Sequence, residues 1–343
     1  MPTQTDIDIA GLPKIELHLH LEGALRLETV RELALRNRAE DPAGAFAPGG
    51  YQDLPGFVDA SGRVLDACLR VPADYERIAY ELCEDLARQN VRYAEVSVAW
   101  SRARRLGIPF AELIAALDSA RQRAARSWPI RVGWIVGFSR ERGAPHAVEA
   151  VRAVIAARAG GDGNGVVGID LHGNEASVPA AEFAGVYALA RVAGLGLRAH
   201  AGEGVGAQSV WEVLRRLAVT RIAHGVRAIE DPELLDYLRD HEVTLDVCPT
   251  SNVRLGVAPS LREHPLRRLY DHGLRVTISS DDPLFFATTV TRELELVHHE
   301  QGFTLDELKR VTLYAADAAF LPAGDRAALR AAIERDYPPP AVR

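Results

Sequence analysis

KIELHLH, Lys14 to His20, alternates apolar and polar side chains and ends on two histidines two residues apart. A period of two marks a strand, whose side chains point to opposite faces in turn. Ile15, Leu17 and Leu19 then share one face, while Glu16, His18, His20 and, just beyond, Glu22 share the other. One side packs and the other presents imidazoles and carboxylates, a pattern that suits a metal. A solvated edge strand would read the same way, so the meaning of the pair depends on where the other strands end.

Seven more apolar or β-branched runs follow: VRYAEVSVAW (91–100), IRVGWIVGF (130–138), VVGIDLHG (166–173), LRAHAG (197–202), RIAHG (221–225), VTLDVCP (243–249) and LRVTISSDD (274–282). Between them lie amphipathic segments such as PFAELIAALDSARQRAARS and DPELLDYLRDH, opened by proline and closed by glycine or a polar pair. Eight such alternations predict an α/β fold, a (β/α)8 TIM barrel. A doubly wound sheet is the main rival, but no Gly-rich phosphate loop follows the first strand. The whole chain, 1–343, reads as a single domain with a helical insertion after the first strand and a helical C-terminal tail. Within the insertion, Leu54, Phe57, Val58 and Leu65 offer apolar cover for a flat ligand, as a lid would; a purely structural cap is the alternative.

Composition excludes several classes. With 48% hydrophobic residues a sizeable core is available, and a net charge of −7 without a basic run argues against nucleic acid as a partner. No apolar run is long enough to span a bilayer and no leader pattern opens the chain, so no membrane partner is expected and the expected location is cytoplasmic. The three cysteines, Cys68, Cys83 and Cys248, are too few and scattered for a disulfide framework or a cysteine zinc site and read as small buried hydrophobes.

The polar residues fall at strand ends. His18 and His20 close the first strand, His200 and Glu203 the fifth, His224 the sixth, and Asp281 with Asp282 the eighth. Barrel enzymes build their sites at that C-terminal face. Imidazoles and a carboxylate on one rim suit zinc, and iron or manganese would accept the same donors. His172 also lies on the rim and reads as a satisfied polar residue, while His146, His241, His264, His272, His298 and His299 read as surface or capping residues.

LPKIELHLHLEG, GIDLHGNE, HAGEG, RIAHG, CPTSN and SSDDPLFF, in that order, resemble the adenosine deaminase family of the amidohydrolase superfamily, over residues 11 to 320. The resemblance implies a metal-dependent aminohydrolase with one zinc per chain held by His18, His20, His200 and Asp281. It makes Glu203 and His224 the acid/base pair, Asp282 a contact to the purine N7 edge and Gly173 a backbone donor to N3. Zinc would lower the pKa of water from about 15.7 to about 7, His224 would steer or deprotonate it, and a protonated Glu203 would donate to N1. Glu22 departs from the adenosine-specific pattern, in which Asp touches the ribose; Glu is common in adenine-specific relatives. GNE and DDPLFF tilt the expectation to a 6-aminopurine nucleoside, with adenine, aminodeoxyfutalosine or a modified adenine as alternatives. Barrel hydrolases with a bridging lysine are disfavoured because Lys14 and Lys309 are far from mid-barrel positions, and the HxE and PCxxC pattern of cytidine deaminases is absent. A non-catalytic binding barrel is the remote alternative.

Overall fold

The fold is that of a computed structural model, which describes residues 8–40, 42, 46, 51, 54–159 and 165–338. Most of the Pro/Gly-rich loop at 41–53 lies outside them. Among the described residues eight strands form one sheet in sequential order, every neighbouring pair parallel: β1 (Lys14–His20), β2 (Val91–Ala99), β3 (Arg131–Ser139), β4 (Val166–His172), β5 (Gly196–Ala201), β6 (Arg221–His224), β7 (Thr244–Val247) and β8 (Arg275–Ile278). Helices follow the strands, as parallel pairing requires. The helix Pro232–Asp240 shows why the predicted segments fold: Pro232 opens it and the Asp231 carboxylate accepts from the N–H groups of Glu233 and Leu234. The insertion contributes the helices Leu27–Arg36, Leu54–Cys68 and Pro72–Arg88, and the tail contributes Leu305–Ala318 and Ala323–Asp336.

The sheet closes where β8 meets β1. Asp281 N–H donates to the His18 carbonyl at 3.1 Å, and His20 N–H donates to the Asp281 carbonyl at 2.9 Å. The seam of the barrel therefore brings the two histidines of β1 to the carboxylate after β8.

Strict alternation fails in β1. Glu16 pairs with Ala94 and Leu19 with Val96, so three steps on β1 face two on β2, a bulge at Leu17–His18. Glu16 consequently leaves the histidine set, its carboxyl accepting from the N–H of Ser280 at 2.8 Å. Glu22 lies beyond the strand in the 3-10 turn Leu21–Gly23.

Leu17, Val96, Ile169, Leu171, Leu245 and Val276 are buried in the hydrophobic core. A second buried layer is charged. Arg198 pairs with Asp170 at 2.8 Å, Arg221 pairs with Glu95 at 2.6 Å and Asp246 at 2.8 Å, and Thr277 donates to Asp246 at 2.9 Å. The carbonyl of Leu17, on the bulge, accepts from both arginines. Buried charges are tolerated because they are paired and hydrogen-bonded.

Candidate active site

The strand ends assemble as their sequence positions suggest. His18 Nε2 and His20 Nε2 lie 3.3 and 3.2 Å from the same Asp281 oxygen, Oδ1. The His200 ring centroid is 4.9 Å from His18, and His224 is 4.6 Å from His18 and 5.2 Å from His200. Ligand atoms of His18, His20 and Asp281 fall within 4.8 Å of one another, as do those of His18, His200 and His224. Asp281 and His224 have φ of +63° and +62°. For non-glycine residues that conformation costs on the order of 1–3 kcal/mol each and is concentrated at functional sites.

The surroundings leave the metal-facing nitrogens free. His18 Nδ1 sits 3.1 Å from the Asp246 carbonyl, which can only accept, so Nδ1 carries the proton and Nε2 keeps its lone pair. That Nε2 is buried and has no hydrogen-bond partner among the described residues. Asp170, anchored by Arg198, accepts from His200 Nδ1 at 3.2 Å and leaves Nε2 of His200 for a ligand in the same way. An orphaned buried nitrogen, two fixed imidazoles and a shared carboxylate fit a zinc ion.

Glu203 follows β5 with 5% exposure, its Oε1 3.4 Å from His224 Nε2. Burial, then the negative charges of Asp281, Glu175 and Asp282, hold its carboxyl well above the usual carboxylate range, which favours the protonated form. Asp282 is pushed up to about 8 by burial and by the neighbouring Asp281 carboxylate. Gly23 explains itself here: a Cβ at that position would run into Asp282 Oδ1. Gly173, at φ +95°, leaves room for the Glu141 carboxylate, which accepts from Asn174 N–H at 2.7 Å. Glu22 is buried, its carboxyl raised by burial and bonded to the N–H of Ala99 at 2.9 Å.

A cavity of about 490 Å³ opens beside Glu203, lined among others by Leu54, Asn174, Glu175, Val205 and Leu255. Of the four lid positions, Leu54 lines it. Phe57 packs on Phe285 and Phe286, just after Asp282, with centroids 5.6 and 5.0 Å away, and Leu65 is in the core. Val58 is 52% exposed. A larger cavity, about 880 Å³, is lined by strand starts such as Arg131, Val166 and Thr244, at the opposite end of the barrel from the histidines.

Several partners escaped the sequence reading. Glu175 accepts from the N–H groups of Gly202, Glu203 and Gly204 at 2.8, 2.9 and 2.8 Å and from the Ser209 hydroxyl at 2.6 Å, so it shapes the loop carrying Glu203. GNE was its only signal. Cys248 is buried as expected, but beside the site, its sulfur 3.4 Å from His18 Nδ1. His172, read as satisfied, has an Nε2 without a partner among the described residues, its ring 5.9 Å from His20. His264 and His298 are buried rather than on the surface.

A parallel eight-stranded barrel with imidazoles and a carboxylate gathered on its C-terminal rim is a metal-dependent hydrolase of the amidohydrolase type. Residues 13–336 match the family model for adenosine deaminase, and the chain belongs to that family. It is 39% identical to an adenine deaminase of Rhizobium leguminosarum over 93% of this chain and 98% of the relative. It is 35% identical to an aminodeoxyfutalosine deaminase of Streptomyces avermitilis over 95% and 91%. A zinc-bound amidohydrolase from Burkholderia ambifaria superposes with a TM-score of 0.89 at 33% identity, covering 97% of this chain and 95% of that one. The chain is thus a zinc-dependent hydrolytic deaminase acting on a purine compound. No helix among the described residues is long and apolar enough to cross a membrane.

Proposed function

We propose that the protein hydrolyses the exocyclic amine of free adenine, giving hypoxanthine and ammonia, with one zinc per chain held by His18, His20, His200 and Asp281. When bound, zinc supplies the Lewis acidity that lets water attack near neutral pH. The protein's own groups do the rest. Glu203, protonated in its buried setting, gives its proton to N1 as the C6–O bond forms and the ring loses aromaticity. Asp282 donates to N7, Gly173 N–H to N3, and His224 stands beside Glu203 on the side where oxygen adds. The C6–N bond then breaks and ammonia leaves with a proton relayed by Glu203. The observation that carries this reading is a buried carboxyl 3.4 Å from an imidazole on the rim of a metal-binding barrel.

The choice of the free base rests on Glu22. One oxygen of its carboxyl is held by Ala99 N–H, and the other can accept from the N9–H that only the base possesses. The nucleoside is the second reading, favoured by the 490 Å³ of space beside Glu203. Steady-state assays with adenine, adenosine, deoxyadenosine and aminodeoxyfutalosine separate them. Adenine should have the highest kcat/KM, and Glu22→Ala should lose most of that preference. Faster turnover of any nucleoside by the wild type would move the assignment to the second reading.

A further inference from the structure

Behind His224 runs a buried chain of hydrogen bonds whose direction is set at its far end. The backbone N–H of Leu266 reaches His264 Nδ1 at 3.1 Å, and a backbone amide can only donate. His264 Nδ1 therefore offers its lone pair and Nε2 carries the ring proton. Burial pushes His264 down to about 4, so the ring is neutral and the assignment is unique. His264 Nε2–H then donates to the side-chain oxygen of Asn252 at 3.0 Å, which turns the Asn252 amide nitrogen toward His224 Nδ1 at 3.2 Å. The amide cannot flip without setting its N–H against that of His264. Asn252, His264 and His224 are 0%, 2% and 1% exposed, so water does not replace these bonds. His224 Nδ1 thus accepts, and its proton sits on Nε2, which faces Glu203 Oε1 at 3.4 Å and Asp281 Oδ2 at 3.9 Å.

We infer that Asn252 and His264 are positioning residues that hold His224 in its Nε2–H tautomer, so that His224 donates a hydrogen bond to the oxygen adding to C6 instead of taking its proton. Nε2 already carries a proton and Nδ1 faces an N–H, so neither nitrogen can receive another. The proton lost by water goes to a carboxylate. Glu203, emptied by protonating N1, lies within 3.4 Å of the same imidazole and passes that proton on to the departing amine. Neither Asn252 nor His264 touches substrate. The role of the donated bond rests on the deaminase reading; the tautomer does not.

Nitrogen-15 NMR of the zinc-loaded enzyme with labelled histidine tests this, the His224 signals being identified by their loss in His224→Gln. The wild type should show an unprotonated Nδ1 and a protonated Nε2. Asn252→Asp keeps the shape but offers only acceptors, so it should move the proton to Nδ1 and lower kcat by roughly 10²–10⁴-fold with zinc content unchanged. His264→Gln keeps a donor toward Asn252 and should retain both the tautomer and most of the activity. A wild-type His224 protonated on Nδ1, or an Asn252→Asp enzyme with the proton moved and kcat intact, would overturn the inference. Should Asn252→Asp fail to fold, the wild-type spectrum and His264→Gln decide alone. A wild type inactive on every 6-aminopurine would defeat the deaminase reading while leaving the tautomer result standing.

Discussion

Replacing Glu175 by Gln tests how the loop after β5 controls its acid. The carboxylate receives four backbone N–H groups, the longest from Val205 at 3.5 Å, and the Ser209 hydroxyl, and two of those amides belong to Glu203 and its neighbour Gly204. A bond to a charged acceptor contributes about 1.5–3 kcal/mol and a neutral one about half that. Gly202 N–H has a second acceptor in Ser209 Oγ at 2.8 Å, so the loss falls on the remaining bonds. Together these give a destabilisation on the order of 3 kcal/mol. The substitution also acts on protons, because the Glu175 charge is one of the groups that raise Glu203. In the proposed role Glu203 must be protonated to serve N1, so activity should be present below its folded pKa and be lost as pH rises through it. Removing the Glu175 charge lowers that pKa and should move the alkaline limb of the kcat/KM profile to lower pH. The assay is a pH profile of ammonia release, with thermal unfolding of both proteins. An unmoved alkaline limb together with an unchanged melting temperature would refute the reasoning.

Elemental analysis should find one zinc per chain, and His18→Ala combined with His20→Ala should abolish it; two metals per chain would overturn the assignment. Glu203→Gln keeps the shape but loses the titrating proton, so kcat should fall roughly 10²–10⁴-fold while zinc stays bound. Near-native turnover would remove Glu203 from the reaction. Gly23→Ala places a methyl on the Asp282 carboxylate, and overpacking of this kind costs about 1–3 kcal/mol. It should raise KM for the purine at least tenfold without loss of zinc, and an unaffected KM would show that Asp282 does not contact substrate.

Much of this architecture was legible in one dimension. Strand and helix periods are local properties, and the eight runs read from alternation match the observed strands to within a few residues at each end. Because chemistry in a barrel sits at the C-terminal strand ends, His18, His20, His200, His224 and Asp281 could be placed on one rim by counting. The bulge in β1 could not. It arises from pairing with β2 and from two arginines, about 180 and 204 residues away in the chain, that donate to the Leu17 carbonyl. Glu175 and Asn252 stand inside GNE and CPTSN, but those runs do not tell what the two residues bond to, since each acts through a group that folding alone brings near: a loop amide and an imidazole of β6. Residue type and spacing suffice for a side chain that acts at its own strand end. A hydrogen bond between segments far apart in the chain exists only once the barrel has closed.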